Sequence, residues 1–200
     1  MYEKIRQFVK ESAKLSETMA GAASLLANIE KAAVLTLEAF RRGNKILVLG
    51  NGGSAAEAQH FAAEFVNRYK LNRNPWPAIA LTTDTSAITS IANDFGYEYI
   101  FSKQIEALGQ AGDVLFVLTT SDVSLEKGGH SANMYHGLLA AKKKGLIRIG
   151  LVSEKSQEIL KLLDVAIIIP SKNTPRIQEA HLLALHSICE IVEKEYAKVN

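Results

Sequence analysis

The sequence predicts an α/β fold: a doubly wound, five-stranded parallel sheet flanked by helices, with an N-terminal helical extension. Three observations carry this. Short runs such as Ile46-Leu47-Val48-Leu49 and Val165-Ala166-Ile167-Ile168-Ile169 are apolar residue after residue and rich in β-branched side chains, the pattern of strands covered on both faces. Longer segments of helical period separate them, as crossover connections between parallel strands require. One strand also runs straight into Gly50-Asn51-Gly52-Gly53-Ser54 and then into a helical stretch, a junction that exposes backbone N–H groups at a helix start.

The elements follow in order. Helical segments at about 2–20 and 22–42 open the chain, the second closed by Gly43 just past its end. A strand at 45–49 leads through the glycine-rich turn to a helix at 55–69. Then come a strand at 78–82, helices at 86–93 and 99–108, and a strand at 114–118. A helix at 132–144 ends in Lys142, Lys143 and Lys144, cations placed to complement its dipole. A strand at 148–152, a helix at 156–162, a strand at 165–169 and a long helix at 174–198 complete the chain. No linker, repeat or low-complexity stretch interrupts it, so the reading is one domain over 1–200. The first and last helices carry apolar residues on more than one side, which predicts a symmetric oligomer.

Composition excludes several function classes. A net charge of +2 with mixed signs leaves no footprint for nucleic acid or an anionic membrane surface. The one cysteine, Cys189, rules out an internal disulfide and sits among Leu185, Ile188 and Val192, where a small apolar side chain belongs. No apolar run approaches the ~20 residues of a membrane span and the charged N-terminus does not read as a signal peptide, so the expectation is a cytoplasmic protein.

Ligands of open parallel sheets bind beyond the carboxyl ends of the strands. Two segments there suit a phosphorylated substrate. The first is the turn Gly50 to Ser54, which is neither a dinucleotide fingerprint nor a P-loop. The second is Thr119-Thr120-Ser121, with Ser124 and Ser131 farther on. Hydroxyls before a helix N-terminus can hold a phosphate with amide donors and the helix dipole, though capping and turn formation would also use them. His60 and Glu64, four apart on one helix, share a face beside the glycine-rich turn and suit either metal binding or proton transfer. Gln178, His181 and His186 lie in the last helix. Eight residues separate Gln178 from His186, ~12 Å of rise and ~80° of rotation, so spacing alone does not make them converge.

At these residues the chain resembles the phosphoheptose isomerases of the SIS (sugar isomerase) family. The resemblance rests on Gly50-Asn51-Gly52-Gly53-Ser54, Gln59-His60-Phe61-Ala62-Ala63-Glu64, Arg68-Tyr69, Ala92-Asn93-Asp94-Phe95-Gly96 and Arg176-Ile177-Gln178-Glu179, with His186 closing it. It implies an enzyme acting on sedoheptulose 7-phosphate, a homotetramer with active sites between subunits, and one zinc per subunit at His60, Glu64, Gln178 and His186. Sugar contacts are implied for Asn51, Gly52, Gly53, Ser54, Glu64, Asn93, Asp94, Thr119, Thr120, Ser121, Ser124 and Gln178. A ketose-to-aldose shift needs a base beside the carbonyl and a stabilised enediolate, with Glu64 and His186 sharing the proton transfers. The family's Thr-Ser-Gly turn reads Thr120-Ser121-Asp122 here and is followed by an insertion through His130, so Ser124 or Ser131 completes the phosphate site. The insertion is expected to be a mobile loop over that site, with a plain surface bulge as the alternative. An acidic residue usual before Arg-Ile-Gln is Pro175 here. A rival reading is a non-catalytic relative that binds the replication initiator protein, which lacks residues matching Glu64 and His186; a third is a sugar-phosphate-sensing module, which the phosphate loops alone would permit.

Overall fold

The computed structural model describes residues 1–124 and 129–197. Its strands are β1 (Ile46–Gly50), β2 (Ala78–Ala80), β3 (Val114–Leu118), β4 (Ile147–Ser153) and β5 (Val165–Ile169), all parallel, in the order β2-β1-β3-β4-β5. The helices are α1 (Tyr2–Gly21), α2 (Ala23–Arg41), α3 (Gly53–Val66), α4 (Thr85–Phe95), α5 (Ile100–Leu108), α6 (Ala132–Lys144) and α7 (Thr174–Ala197). This is the expected doubly wound sheet.

Side chains alternate across it, as the two-residue strand period requires. Ile46, Val48, Val114, Phe116 and Leu118 face α2, α3 and α7, where Phe61, Phe65, Ile177, Leu185 and Ile188 complete one core. Leu47, Leu49, Leu115 and Val117 face α5 and α6, with Phe101, Ile105, Met134 and Leu138. Cys189 is fully buried in the first core, as its neighbours predicted.

The strand order places the switch point of the sheet between β1 and β3, where connections depart to opposite sides. Gly50 and Leu118 are register partners, so the turn after β1 and the hydroxyl loop after β3 leave adjacent strands side by side.

Three boundaries differ from the sequence reading. The segment 156–162 is a single 3-10 turn, Leu160–Leu162, preceded by turns. Ser156 is fully buried and donates to the Ser121 carbonyl at 2.8 Å, so it braces the β3 loop instead of opening a helix. Helix α3 starts at Gly53 and stops at Val66, because Asn67 leaves helical conformation (φ −96°, ψ −98°). Strand β2 ends at Ala80, after which the chain turns toward the Asp84 cap of α4. In the insertion, Ser124 N–H donates to the His130 carbonyl at 2.8 Å. Residues 125–128, on which the loop expectation mostly falls, lie outside the described residues.

Candidate active site

All three glycines of the turn are constrained, and a Cβ on Gly50 would run into the Ser54 backbone carbonyl. Gly52 has φ +55°, which L side chains rarely adopt. Gly53, the first residue of α3, has the Gln178 amide where a Cβ would stand. The first turn of α3 therefore lies directly against α7.

From that contact the two helices run in register. Glu57 meets His181 one turn on, with His181 Nδ1 3.6 Å from Glu57 Oε2. Two turns on, His60 Nε2 lies 2.8 Å from His186 Nε2 and 3.4 Å from Glu64 Oε1. His60, Glu64 and His186 each offer a donor atom, all within 4.8 Å of one another. The rungs at Gln178 and His186 border one cleft of about 660 Å³, lined also by Gly53, Glu57, His60 and Pro175. Pro175 sits in the first turn of α7, where its missing N–H costs nothing. His181, one of the three polar residues noted in the last helix, is fully buried opposite Glu57 and is not in the cluster.

The electrostatics suit a nitrogen ligand or base. Burial first, and then the neighbouring His60, push the His186 imidazole below the ordinary histidine range, with Glu64 opposing. His186 is thus neutral near pH 7 with a lone pair available. Two imidazoles and a carboxylate are a zinc-type donor set. Ligands at about 2.0–2.2 Å from one zinc stand roughly 3.3–3.6 Å apart on a tetrahedron. The His60–Glu64 spacing of 3.4 Å matches, and the His60–His186 spacing of 2.8 Å is that of a hydrogen bond. These residues fit a metal with a small separation of the two rings.

The second cleft, about 120 Å³, lies at the switch point and is lined by Asn51, Tyr97, Glu98, Gly129, Ser131, Ala132 and Asn133. Asn51 and Asn133 exchange amide hydrogen bonds of 3.0 and 2.8 Å, tying the β1 turn to the start of α6. Ser131 immediately precedes α6 in left-handed conformation (φ 58°). Thr119 turns inward: its hydroxyl donates to the Ser121 carbonyl and accepts from the Ser121 amide. Thr120 and Ser121 are half-buried beyond it, and Ser54 is buried beneath the turn. Asn93 and Asp94 hydrogen-bond to each other in the exposed last turn of α4. Tyr97 and Glu98, just beyond, carry that end of the chain to the small cleft.

Sequence reasoning passed over Asn133 and gave Tyr69 no role. Asn133 looks like a capping residue in the first turn of a helix, and its true partner is 82 positions away. Tyr69 entered only as part of a motif, and its ring stacks on His186 with centroids 5.6 Å apart.

Comparison with known proteins agrees with this geometry. Residues 7–153 match the family model described as the SIS domain. Over 98% of this chain and 96% of its relative, the sequence is 44% identical to the phosphoheptose isomerase of Sulfurimonas denitrificans. It is 43% identical to that of Aneurinibacillus thermoaerophilus over 97% and 94%. The structure is similar to that of a phosphoheptose isomerase from Neisseria gonorrhoeae (TM-score 0.86, 38% identity, 96% and 98% of the two chains).

Proposed function

The chain belongs to the SIS-domain family, among the phosphoheptose isomerases, and we propose that its isomerisation of sedoheptulose 7-phosphate runs on Glu64 and His186. The observation that carries this is the convergence of Glu64, His60 and His186 within 4.8 Å at one end of the α3–α7 cleft. Glu64 removes the proton from the hydroxymethyl carbon beside the ketose carbonyl, and the pair of oxygens becomes an enediolate. His186, neutral at pH 7, passes a proton between those oxygens, and return of a proton to the former carbonyl carbon gives D-glycero-D-manno-heptose 7-phosphate. Atoms balance within the sugar.

His60, Glu64 and His186 would hold one zinc per subunit; Gln178, the fourth donor the resemblance implies, borders the same cleft but packs on Gly53 two turns away. Bound there, zinc supplies Lewis acidity at the carbonyl oxygen. At the switch point, Asn51, Gly52 and Gly53 with Thr120 and Ser121 receive the sugar phosphate, and Asn93 and Asp94 reach the sugar from α4. Ser131 is a better supported phosphate ligand than Ser124, because it lines the small cleft at the start of α6. Active sites between subunits of a cytoplasmic homotetramer, serving surface heptose biosynthesis, complete the proposal. A non-catalytic regulator is not favoured, since the acid and the histidine such a relative lacks are here in one cluster.

Incubation with sedoheptulose 7-phosphate should yield an aldoheptose 7-phosphate. Glu64→Gln, which keeps shape and removes the base, should lower turnover by about 10² or more with the fold intact. Near-normal turnover in that variant would refute the assignment.

A further inference from the structure

Tyr69 covers one face of the His186 ring, at an interplanar angle of 26°. The other constraint comes from His60, whose ring meets His186 edge-on at 75° and 5.1 Å. An imidazole has two soft torsions, and a flat ring on its face together with a nitrogen contact at its edge restricts both.

The stack is held by an anchor on the same helix. Past Val66 the chain is no longer helical, so nothing in the local backbone fixes Tyr69. Its place is set by Glu193, whose carboxylate accepts the N–H groups of Tyr69, Lys70 and Leu71 at 2.9, 2.8 and 2.9 Å. Arg73 Nε donates to the same carboxylate at 2.9 Å, and the Arg73 guanidinium also donates to the Glu64 and Phe65 carbonyls at 2.8 and 2.9 Å. Lys70 Nζ reaches Glu190 at 2.7 Å. Glu193 follows His186 by seven residues, so both lie on one face of α7. One helix therefore carries the histidine and the carboxylate that fastens an aromatic lid-stone over it, while Arg73 ties the same segment to the backbone of Glu64.

From this geometry we infer that Tyr69 is a positioning residue for the reaction: its ring, anchored through Glu193, fixes the plane of the His186 imidazole. The ring face does this and the hydroxyl does not. The inference rests on the reading that His186 takes part in the chemistry.

The test compares Tyr69→Leu and Tyr69→Phe with the unsubstituted protein. Leu keeps apolar volume against the core without a flat face, and Tyr69→Met repeats the test with a second shape should Leu fold poorly. Readouts are kcat and KM on sedoheptulose 7-phosphate, zinc affinity by chelator competition, and thermal melting. Groups that orient ligands of a metal typically change affinity or activity by about 10–100-fold when removed. Tyr69→Leu should lower kcat by about tenfold or more with KM within about threefold, and weaken zinc binding by a similar factor. Tyr69→Phe should restore both to within about twofold, which a hydroxyl-based role would not allow. A Leu or Met variant with normal kcat and normal zinc affinity overturns the inference, as does a Phe variant as impaired as Leu. His186→Gln is the control: normal turnover there removes the reading of His186 and the inference with it, whereas a dead His186→Gln beside a normal Tyr69→Leu removes the inference alone.

Discussion

Gly53 shows how closely the site is built at the scale of single residues. A methyl group there would land on the Gln178 amide. That amide is the far end of a flexible side chain, so Gly53→Ala should fold with little change in melting temperature. Gln178 would be displaced from the cleft, and turnover should drop by about tenfold. Steady-state kinetics with a melting curve check this, and unaltered kinetics would mean Gln178 is not needed where it stands. What was legible at this scale was local. His60 and Glu64 are four apart on a helix, and their shared face follows from helical period alone. Their meeting with His186 was not legible, since 126 positions separate the two histidines and only the pairing of α3 with α7 joins them. The gap of ~12 Å between Gln178 and His186 is matched by the parallel rise from Gly53 to His60, about 10.5 Å, so the N-terminal half of α7 borders one cleft along its length. The same nonlocality hid the Asn51–Asn133 pair.

Elements are joined by buried carboxylates, and these carry a pH dependence. Asp113 at the start of β3 is fully buried and accepts Lys45 Nζ at 2.6 Å, Lys45 N–H at 3.0 Å and Gln110 N–H at 2.8 Å. Burial would raise its pKa, but the Lys45 ammonium and the amides together outweigh that and leave it below the usual carboxylate range. Glu193 behaves alike: burial opposes, and the Leu71, Lys70 and Tyr69 amides with Arg73 prevail. For a carboxylate depressed in the folded state, the stabilisation is fully present above the unfolded value near ~4 and is lost as pH falls through the folded value. Melting temperature should therefore fall from about pH 5 downward. Glu193→Gln should cost about 3 kcal/mol at neutral pH by leaving Arg73 buried without its partner, and should flatten that acid decline. Denaturant titrations at pH 7 and pH 4 check both, and an unchanged acid slope would exclude Glu193 as a contributor. Element boundaries show the limit of local reading. Strand positions within a residue or two came from apolar runs, whereas 156–162 looked helical until Ser156 was claimed by the Ser121 carbonyl across the sheet.

At the scale of the whole molecule, the sequence pattern implied a doubly wound sheet but not its strand order, which depends on crossovers that no local signal encodes. The order β2-β1-β3-β4-β5 is what sets the glycine-rich turn and the hydroxyl loop on adjacent strands. Helix α1 raises the remaining question, since it meets α2 at an 80° bend and its first ten residues are exposed. Tyr2, Ile5, Phe8 and Val9 are 75%, 55%, 52% and 64% exposed, an apolar stripe at helical spacing that this chain does not cover. We propose that a second copy of the chain covers it, in line with the tetramer the family resemblance implied. The stripe is also tied by hydrogen bonds to the helix that borders the α3–α7 cleft. Arg176 donates to the Phe8 carbonyl at 2.7 Å, and Ser12 donates to Glu179 at 2.6 Å. Glu179 lines the same cleft as His60 and His186. A chain whose α1 is left uncovered should hold the start of α7 less firmly, so assembly and turnover should be lost together. Phe8→Glu combined with Val9→Glu places two charges on the stripe without touching any residue of the cleft. Sedimentation should then report a smaller species, and turnover per chain should fall by about tenfold or more. Full activity in a fully dissociated variant would show that one chain holds the complete site, and an unchanged sedimentation coefficient would place the contact between copies elsewhere.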